Sequence, residues 1–507
     1  MTRRVFLCAA ICAASLWAQA PLTQPHRPKL VLAIVVDQMR YDYLSRYGPE
    51  FEGGLKRLLT EGAVFTNANY EAFPTVTAIG HSTILTGATP AMSGIVGNTW
   101  YDRAEGKSVQ SITDTTVQTL GGRANPASPR RMMVSTVGDE LKLSGQGGKV
   151  FGVSLKDRSA ILPAGHMADG AFWFDAATGS FVSSTFYFEQ LPAWAVAHNT
   201  ARPADKYANE QWMTTKLPAP GPALYAAVDD TPFADEMVLE FALALLKAEQ
   251  LGKGPQTDLL SVSFSAVDYV GHATGPDTPR MHDMILNVDK VVGRLIEAAE
   301  EQAGEGNVIV VFTADHGVAP VPEENVTRKL PGGRYNGQAE RTAVEAALDA
   351  KFGEADYIKS ADGGLYLNLA GKAPEVAATI EWAAADVLRA QPHVYRVYTR
   401  ADLEAGTVNG DRVDQRVRNG FYGARSPDVV VVHDPYWLAG ASGTTHGSPF
   451  SYDTHVPLIF LAPDDTILPG QYHREAAIQD IAPTLSVLLG IAQPSGSIGR
   501  VLEEMLP

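Results

Sequence analysis

Three largely apolar runs, each stopped by an acidic residue, restrict this chain to a small set of folds. Lys29 to Val36 reads KLVLAIVV and stops at Asp37; Leu259 to Val267 reads LLSVSFSAV and stops at Asp268; Val308 to Ala314 reads VIVVFTA and stops at Asp315 and His316. Lys29 to Val36 is continuous, without polar alternation, as expected of a strand buried on both faces in a parallel sheet covered by helices. Val429 to Val432 gives a fourth run, ahead of a GTTHGS segment that contains His446, and Leu458 to Leu461 gives a fifth. Between the runs, Ala234 to Leu251 and Met281 to Gln302 repeat apolar residues at three- and four-residue steps, the period of an amphipathic helix. The alternation predicts an α/β fold: a central, mostly parallel sheet flanked by helices through right-handed crossovers. Such sheets take their ligands at the carboxyl ends of the strands, so residues hundreds of positions apart are expected to converge there.

The first twenty residues, MTRRVFLCAAICAASLWAQA, carry two arginines, an apolar stretch from Val5 to Trp17 and a small-x-small end at Ala18-Gln19-Ala20. This is the pattern of a cleaved signal peptide, and the apolar stretch is shorter than the ~20 residues that span a bilayer. Thr2-Arg3-Arg4-Val5-Phe6-Leu7 also resembles a twin-arginine signal, which leaves the export route open. Both cysteines, Cys8 and Cys12, fall inside this peptide. A mature chain from residue 21 would hold no thiol, so any metal must be bound by oxygen and imidazole nitrogen. Loss of Arg3 and Arg4 would move the formal charge from −16 to −18, a balance that disfavours nucleic acid and anionic membranes as partners. With 45% hydrophobic and 19% charged residues, the chain has the material for a large core. The stretches from roughly 99 to 230 and 320 to 440 are richer in Gly, Pro, Asn and aromatic residues, and are expected to be cap insertions within a single catalytic domain spanning 21–507.

Asp37, Thr77, Asp268, His272, Asp315, His316 and His446 stand just beyond strand-like runs and supply the donors of a two-metal hydrolase: carboxylates, imidazoles and one hydroxyl. Asp268 and His272, four apart, share a side if the chain turns helically after its strand. Adjacent Asp315 and His316 can both face one metal only where the strand ends and the backbone curls, as Gly317 permits. Either pair alone is more often a surface or capping pair. Pro74 suits a helix entry, which would put Thr77 near a helix N-terminus, where free N–H groups favour an anion; Thr75 is a competing hydroxyl.

Six segments in order carry a resemblance: VVDQMRYDYL from Val35, PTVTAIGHSTILTGATPAMSGIVGN from Pro74, SLKDR from Ser154, VDYVGHATGP from Val267, TADHG from Thr313 and GTTHGSPFSYDTHVPL from Gly443. Together they resemble the alkaline phosphatase superfamily, closest to the phosphate-irrepressible single-chain bacterial alkaline phosphatases related to nucleotide pyrophosphatase/phosphodiesterases. The resemblance implies two zinc ions, one held by Asp268, His272 and His446, the other by Asp37, Asp315, His316 and the Thr77 oxygen. It implies Thr77 as nucleophile, a phosphothreonine intermediate, and Asn98, Lys156 and Arg158 as contacts to the phosphate. Two cations offset the two charges of a phosphomonoester, which makes a secreted or periplasmic phosphomonoesterase the leading expectation, acting as a monomer on small phosphate esters with no membrane anchor after cleavage. A phosphodiesterase of the same superfamily is the alternative, and a non-catalytic phosphate binder the third. His455 rivals His446 but lies outside the HGS segment. His81 and His166 are expected to pack or bond to backbone, and Asp42, Asp157 and Asp453 to orient ligands at most.

Overall fold

A computed structural model describes residues 27–463 and 465–507, so the signal peptide expected at 1–20 lies outside the described residues. A ten-stranded sheet forms the centre. In chain order its strands are β1 (Leu30–Val36), β2 (Ala63–Phe65), β3 (Thr119–Leu120), β4 (Gly147–Ser154), β5 (Gly170–Asp175), β6 (Ser180–Ser184), β7 (Thr257–Phe264), β8 (Val308–Thr313), β9 (Leu458–Leu461) and β10 (Gly470–Tyr472). Their order across the sheet is β10-β2-β9-β8-β1-β7-β4-β5-β6-β3. The strands β8, β1, β7, β4 and β5 are mutually parallel, while β9 runs antiparallel to both β8 and β2. Every residue of β1, β7 and β8 is buried, Ser261 and Ser263 of β7 included, as strands covered on both faces require.

Register makes the distant acidic residues meet. Val36 pairs with Phe264 and Val35 with Thr313, so β1, β7 and β8 end level with one another. Asp37, the helix after β7 and Asp315 therefore leave the same edge. The expected helices form at Phe233–Ala248 and Pro279–Ala303, whose buried apolar stripes cover the sheet.

Two sequence expectations need correction. Val429–His433 is a strand, as its β-branched composition dictates, but it pairs with Val394–Thr399 and not with the central sheet. An apolar run says that a strand is buried without saying in which sheet. The stretch 99–230 is not wholly a cap, because β3, β4, β5 and β6 lie inside it and complete one side of the sheet. Residues between 337 and 433 gather around an apolar cluster separate from that of the central sheet. Helices Gly337–Phe352 and Pro374–Arg389 pack with the 394–399 and 429–433 pair around a separate apolar cluster that includes Val344, Leu348, Ile380, Leu388 and Val429.

Candidate active site

The three β-strand ends place three carboxylates within reach of one another, and two helices and a loop supply the rest. Helix α1 (Thr77–Thr86) starts on Thr77 and is buried along its whole length. Helix α2 (Asp157–Ala164) follows β4 with Lys156 at its N-cap, and helix α3 (Ala266–Thr274) follows β7 and carries Asp268 and His272 one turn apart. The loop before β9 brings His446 over the edge, and its ring stacks on His316 with centroids 3.5 Å apart.

The imidazoles reveal what the cage is built for. His272 Nδ1 lies 2.8 Å from the Thr444 carbonyl, His316 Nδ1 3.0 Å from that of Gly317, and His446 Nδ1 2.8 Å from that of Thr75. A carbonyl can only accept, so each Nδ1 carries a proton, and in the neutral, metal-binding form of each ring Nε2 presents a lone pair. Those lone pairs face carboxylates: His272 Nε2 is 3.2 Å and His446 Nε2 3.7 Å from Asp268 Oδ1, and His316 Nε2 is 3.3 Å from Asp315 Oδ2 and 3.5 Å from Asp37 Oδ1. Two of these oxygens, Asp37 Oδ1 and Asp315 Oδ2, are buried without a hydrogen-bond donor. Lone pairs turned on carboxylates repel unless a cation lies between them, so the donor set fits divalent metal. One donor atom each from Asp268, His272 and His446 lies within 4.8 Å of the others, and the same holds for Asp37, Asp268 and His316, so two adjoining groups share Asp268.

Charge within the cage is unevenly borne. Burial pushes Asp37 well above the usual carboxylate range, and the neighbouring Asp268 and Asp315 push it further. Burial would also lift Asp268, but Lys156 and then His272 hold it well below its ordinary value. Asp315 is likewise lowered against burial, by His316 and His81. Burial lowers His316 and, with the help of His316, lowers His446 strongly, the direction that favours the neutral, ligating form of a ring. His272 alone is raised, since Asp268 outweighs its burial.

Thr77 Oγ1 stands 3.4 Å from His316 Nε2. Thr75, its rival, spends its hydroxyl on the Ser448 carbonyl at 2.8 Å. Asn98 Oδ1 accepts from the Ala78 N–H at 2.8 Å, which fixes the amide so that its NH2 is free to donate to an anion above the helix N-terminus. Lys156 Nζ, expected at the phosphate, is seated between Asp37 Oδ2 at 2.6 Å and Asp268 Oδ2 at 2.5 Å. Its long stem reaches from the end of β4 into the densest negative charge available, and Asp268 and Asp37 raise it despite burial. Arg158 pairs only loosely with Asp157, at 3.7 Å, and its Nε is buried without a partner.

The model of the type I phosphodiesterase / nucleotide pyrophosphatase family matches residues 31–455. The chain belongs to that family. Within it, the chain is 36% identical to alkaline phosphatase PhoV of Synechococcus elongatus, over 95% of this chain and 93% of the relative. It is also 36% identical to alkaline phosphatase PafA of Elizabethkingia meningoseptica, over 95% of each. The crystal structure of wild-type PafA superposes with a TM-score of 0.87 at 34% identity, covering 95% of this chain and 99% of that one. The chain is thus a phosphoric ester hydrolase of α/β fold.

Two residues of this family member's cage escaped the sequence reading in part. Gln38 donates its backbone N–H to Asp315 Oδ1 at 3.0 Å and its Nε2 to Asp268 Oδ1 at 2.6 Å, joining carboxylates from two different strands. His81 does bond to backbone, with Nδ1 3.0 Å from the Thr77 carbonyl, but that nitrogen is also 3.3 Å from Asp315 Oδ2, and Nε2 meets Ser263 Oγ at 2.8 Å. Only adjacency to Asp37 and Thr77 hinted at either. His455 and His166 lie apart from the cage, on the Thr66 and Met132 carbonyls. Asp42 pairs with Arg40. Asp453 is buried and accepts the Ser448 N–H at 2.7 Å, which steadies the loop that carries His446.

Proposed function

We propose that this enzyme is an exported, zinc-dependent phosphomonoesterase that works through a phosphothreonine intermediate. The observation that carries the reading is the ring of three imidazoles, each tied by Nδ1 to a backbone carbonyl, that turns Nε2 lone pairs onto buried carboxylates beside Thr77. Asp268, His272 and His446 would hold one zinc; Asp37, Asp315, His316 and the Thr77 oxygen would hold the other. Bound there, zinc would supply Lewis-acid chemistry, lowering the pKa of a coordinated hydroxyl and offsetting charge on the leaving oxygen. The chain's own residues do the remainder. Thr77 is poised at the start of α1, where unpaired N–H groups favour an anion, and attacks phosphorus in line. Asn98 holds one phosphate oxygen through its NH2 group. Lys156 and Arg158 bring two positive charges, matched to a dianionic monoester, whereas a diester carries one. Water then cleaves the Thr77 ester and restores the hydroxyl.

The likeness to PhoV and PafA supports the monoesterase reading, and the match to a phosphodiesterase family keeps diesters as the second. Export is supported by the first twenty residues, and among the described residues no helix is long and apolar enough to cross a membrane. The decisive experiment measures phenyl phosphate and diphenyl phosphate hydrolysis by metal-loaded protein and by Thr77→Ala. Thr77→Ala is expected to lower kcat by about a thousandfold or more, and acid-quenched wild type to carry phosphate on Thr77. Undiminished turnover would remove Thr77 as nucleophile, and a faster diester would place the enzyme among the diesterases.

A further inference from the structure

A chamber of about 490 Å³ opens from the cage between the sheet edge and the cap, with Asn98 and His446 in the wall nearest the chemistry. Its volume lies in the range of sites that enclose a whole organic ligand, far more than a phosphoryl group requires. The sheet side offers Phe73, Val76 and Val96; the cap side offers Leu365, Val431 and an aromatic slab. That slab is Tyr335 lying on His433, with ring centroids 3.5 Å apart and planes 9° from parallel. It is held from three directions. Glu340 Oε1 lies 3.1 Å from His433 Nε2, Tyr335 N–H donates to the Leu438 carbonyl at 3.1 Å, and His433 ends the strand paired to Val394–Thr399. Arg341 lines the same wall with its guanidinium turned to the Ile358 carbonyl at 3.3 Å.

We propose that this chamber is the leaving-group site, and that the Tyr335–His433 slab makes the enzyme selective for phosphomonoesters whose alcohol carries a flat ring. The inference rests on the monoesterase reading above. A phosphoryl group held by Asn98 leaves its ester substituent facing the chamber, where apolar walls and a preorganised aromatic face reward a planar group. A small alkyl alcohol reaches neither. Aryl alcohols and nucleosides share the required chemistry and differ in how far the ring stands from phosphorus.

The test compares kcat/KM of the metal-loaded full chain on methyl phosphate, phenyl phosphate and adenosine 5′-monophosphate, for wild type, Tyr335→Ala and Gly337→Leu. Comparing each substrate with itself across variants cancels its intrinsic reactivity. Gly337 lines the chamber, and a Cβ there would meet only the Tyr335 ring edge, at 3.8 Å, so a larger side chain fills space without striking backbone. Tyr335→Ala is expected to lower kcat/KM on at least the adenosine ester by about tenfold, with methyl phosphate and inhibition by inorganic phosphate within about twofold of wild type. Gly337→Leu, which keeps the slab, should reproduce that pattern by occlusion. Loss on both ring esters assigns the slab to a ring next to the ester oxygen; loss on the adenosine ester alone assigns it to a base. Equal change on all three esters, or none, overturns the leaving-group site. A wild type that hydrolyses no monoester overturns the underlying reading as well.

Discussion

Gln38 holds φ at +65°, a left-handed conformation that costs a residue with a Cβ about 1 kcal/mol or more. What offsets that cost is position: the turn after β1 lets one residue bond Asp315 through its backbone and Asp268 through its amide. Gln38 thereby sets the spacing between carboxylates that the proposed function gives to different metals. Replacing it with Leu keeps the volume and deletes the amide donor, so metal affinity is expected to fall by about tenfold to a hundredfold, the usual effect of losing a group that orients a ligand. Chelator competition with elemental analysis of the recovered protein checks this; unchanged affinity would show Asp268 to be held well enough by His272 and Lys156. The contrast between ligands and their supports explains what could be read from sequence. Asp37, Asp268 and Asp315 were legible because each ends an apolar run, and His446 because it sits in a segment shared with a known superfamily. Gln38 was not, since its partners lie 230 and 277 residues away and an amide beside an aspartate has no periodic signature.

Elements show the same division at a larger scale. The strands β1 and β8 were plain in the sequence because their apolar runs are nearly unbroken, and β7 was legible despite Ser261 and Ser263, whereas β4 reads GGKVFGVS, its signal diluted by three glycines. One of those, Gly152, supports a close approach that no pattern announces: a Cβ there would lie 2.0 Å from the Ala160 carbonyl oxygen of α2. The helix that begins at Thr77 uses the same device. A Cβ on Gly80 of α1 would fall 2.2 Å from the Asp315 carbonyl oxygen and 2.6 Å from the Asp315 Cβ, so α1 lies directly against the end of β8. This contact sets how near Thr77 stands to His316. In an ordinary helix Gly→Ala stabilises by about 0.5–1 kcal/mol, but here steric overlap is expected to reverse the sign, with a loss of about 1–3 kcal/mol. Thermal unfolding of the metal-loaded Gly80→Ala protein decides it. A raised Tm would mean that α1 can withdraw from Asp315 at no cost, and that the Thr77 placement is looser than the packing implies.

Over the whole molecule, an excess of acidic groups on a chain of formal charge −16 coexists with carboxyls whose burial outweighs any cation near them. Asp229, Asp235 and Asp453 are each pushed up to about 7, with burial the largest cause. Asp235 lends itself to experiment because it bonds to the backbone of the helix that carries Asp268 and to none of the proposed metal ligands. Its Oδ1 accepts the Ala266 N–H at 3.1 Å, at the start of the helix that carries Asp268 and His272, while Oδ2 is buried without a donor. A carboxyl whose pKa is higher folded than unfolded binds protons more tightly when folded. The stability this contributes is complete below the unfolded value of about 4 and is lost as pH rises to and past about 7, the opposite sense to a paired surface carboxylate. Asparagine in its place retains an oxygen to accept from Ala266 and does not titrate. Unfolding of metal-loaded wild type and Asp235→Asn from about pH 5 to about pH 9 should therefore give Tm values that move apart in favour of the variant as pH rises. Asp229 and Asp453 titrate in both proteins and cancel in the difference, so a pH-independent gap would mean that Asp235 stays ionised in its pocket and that water reaches Oδ2.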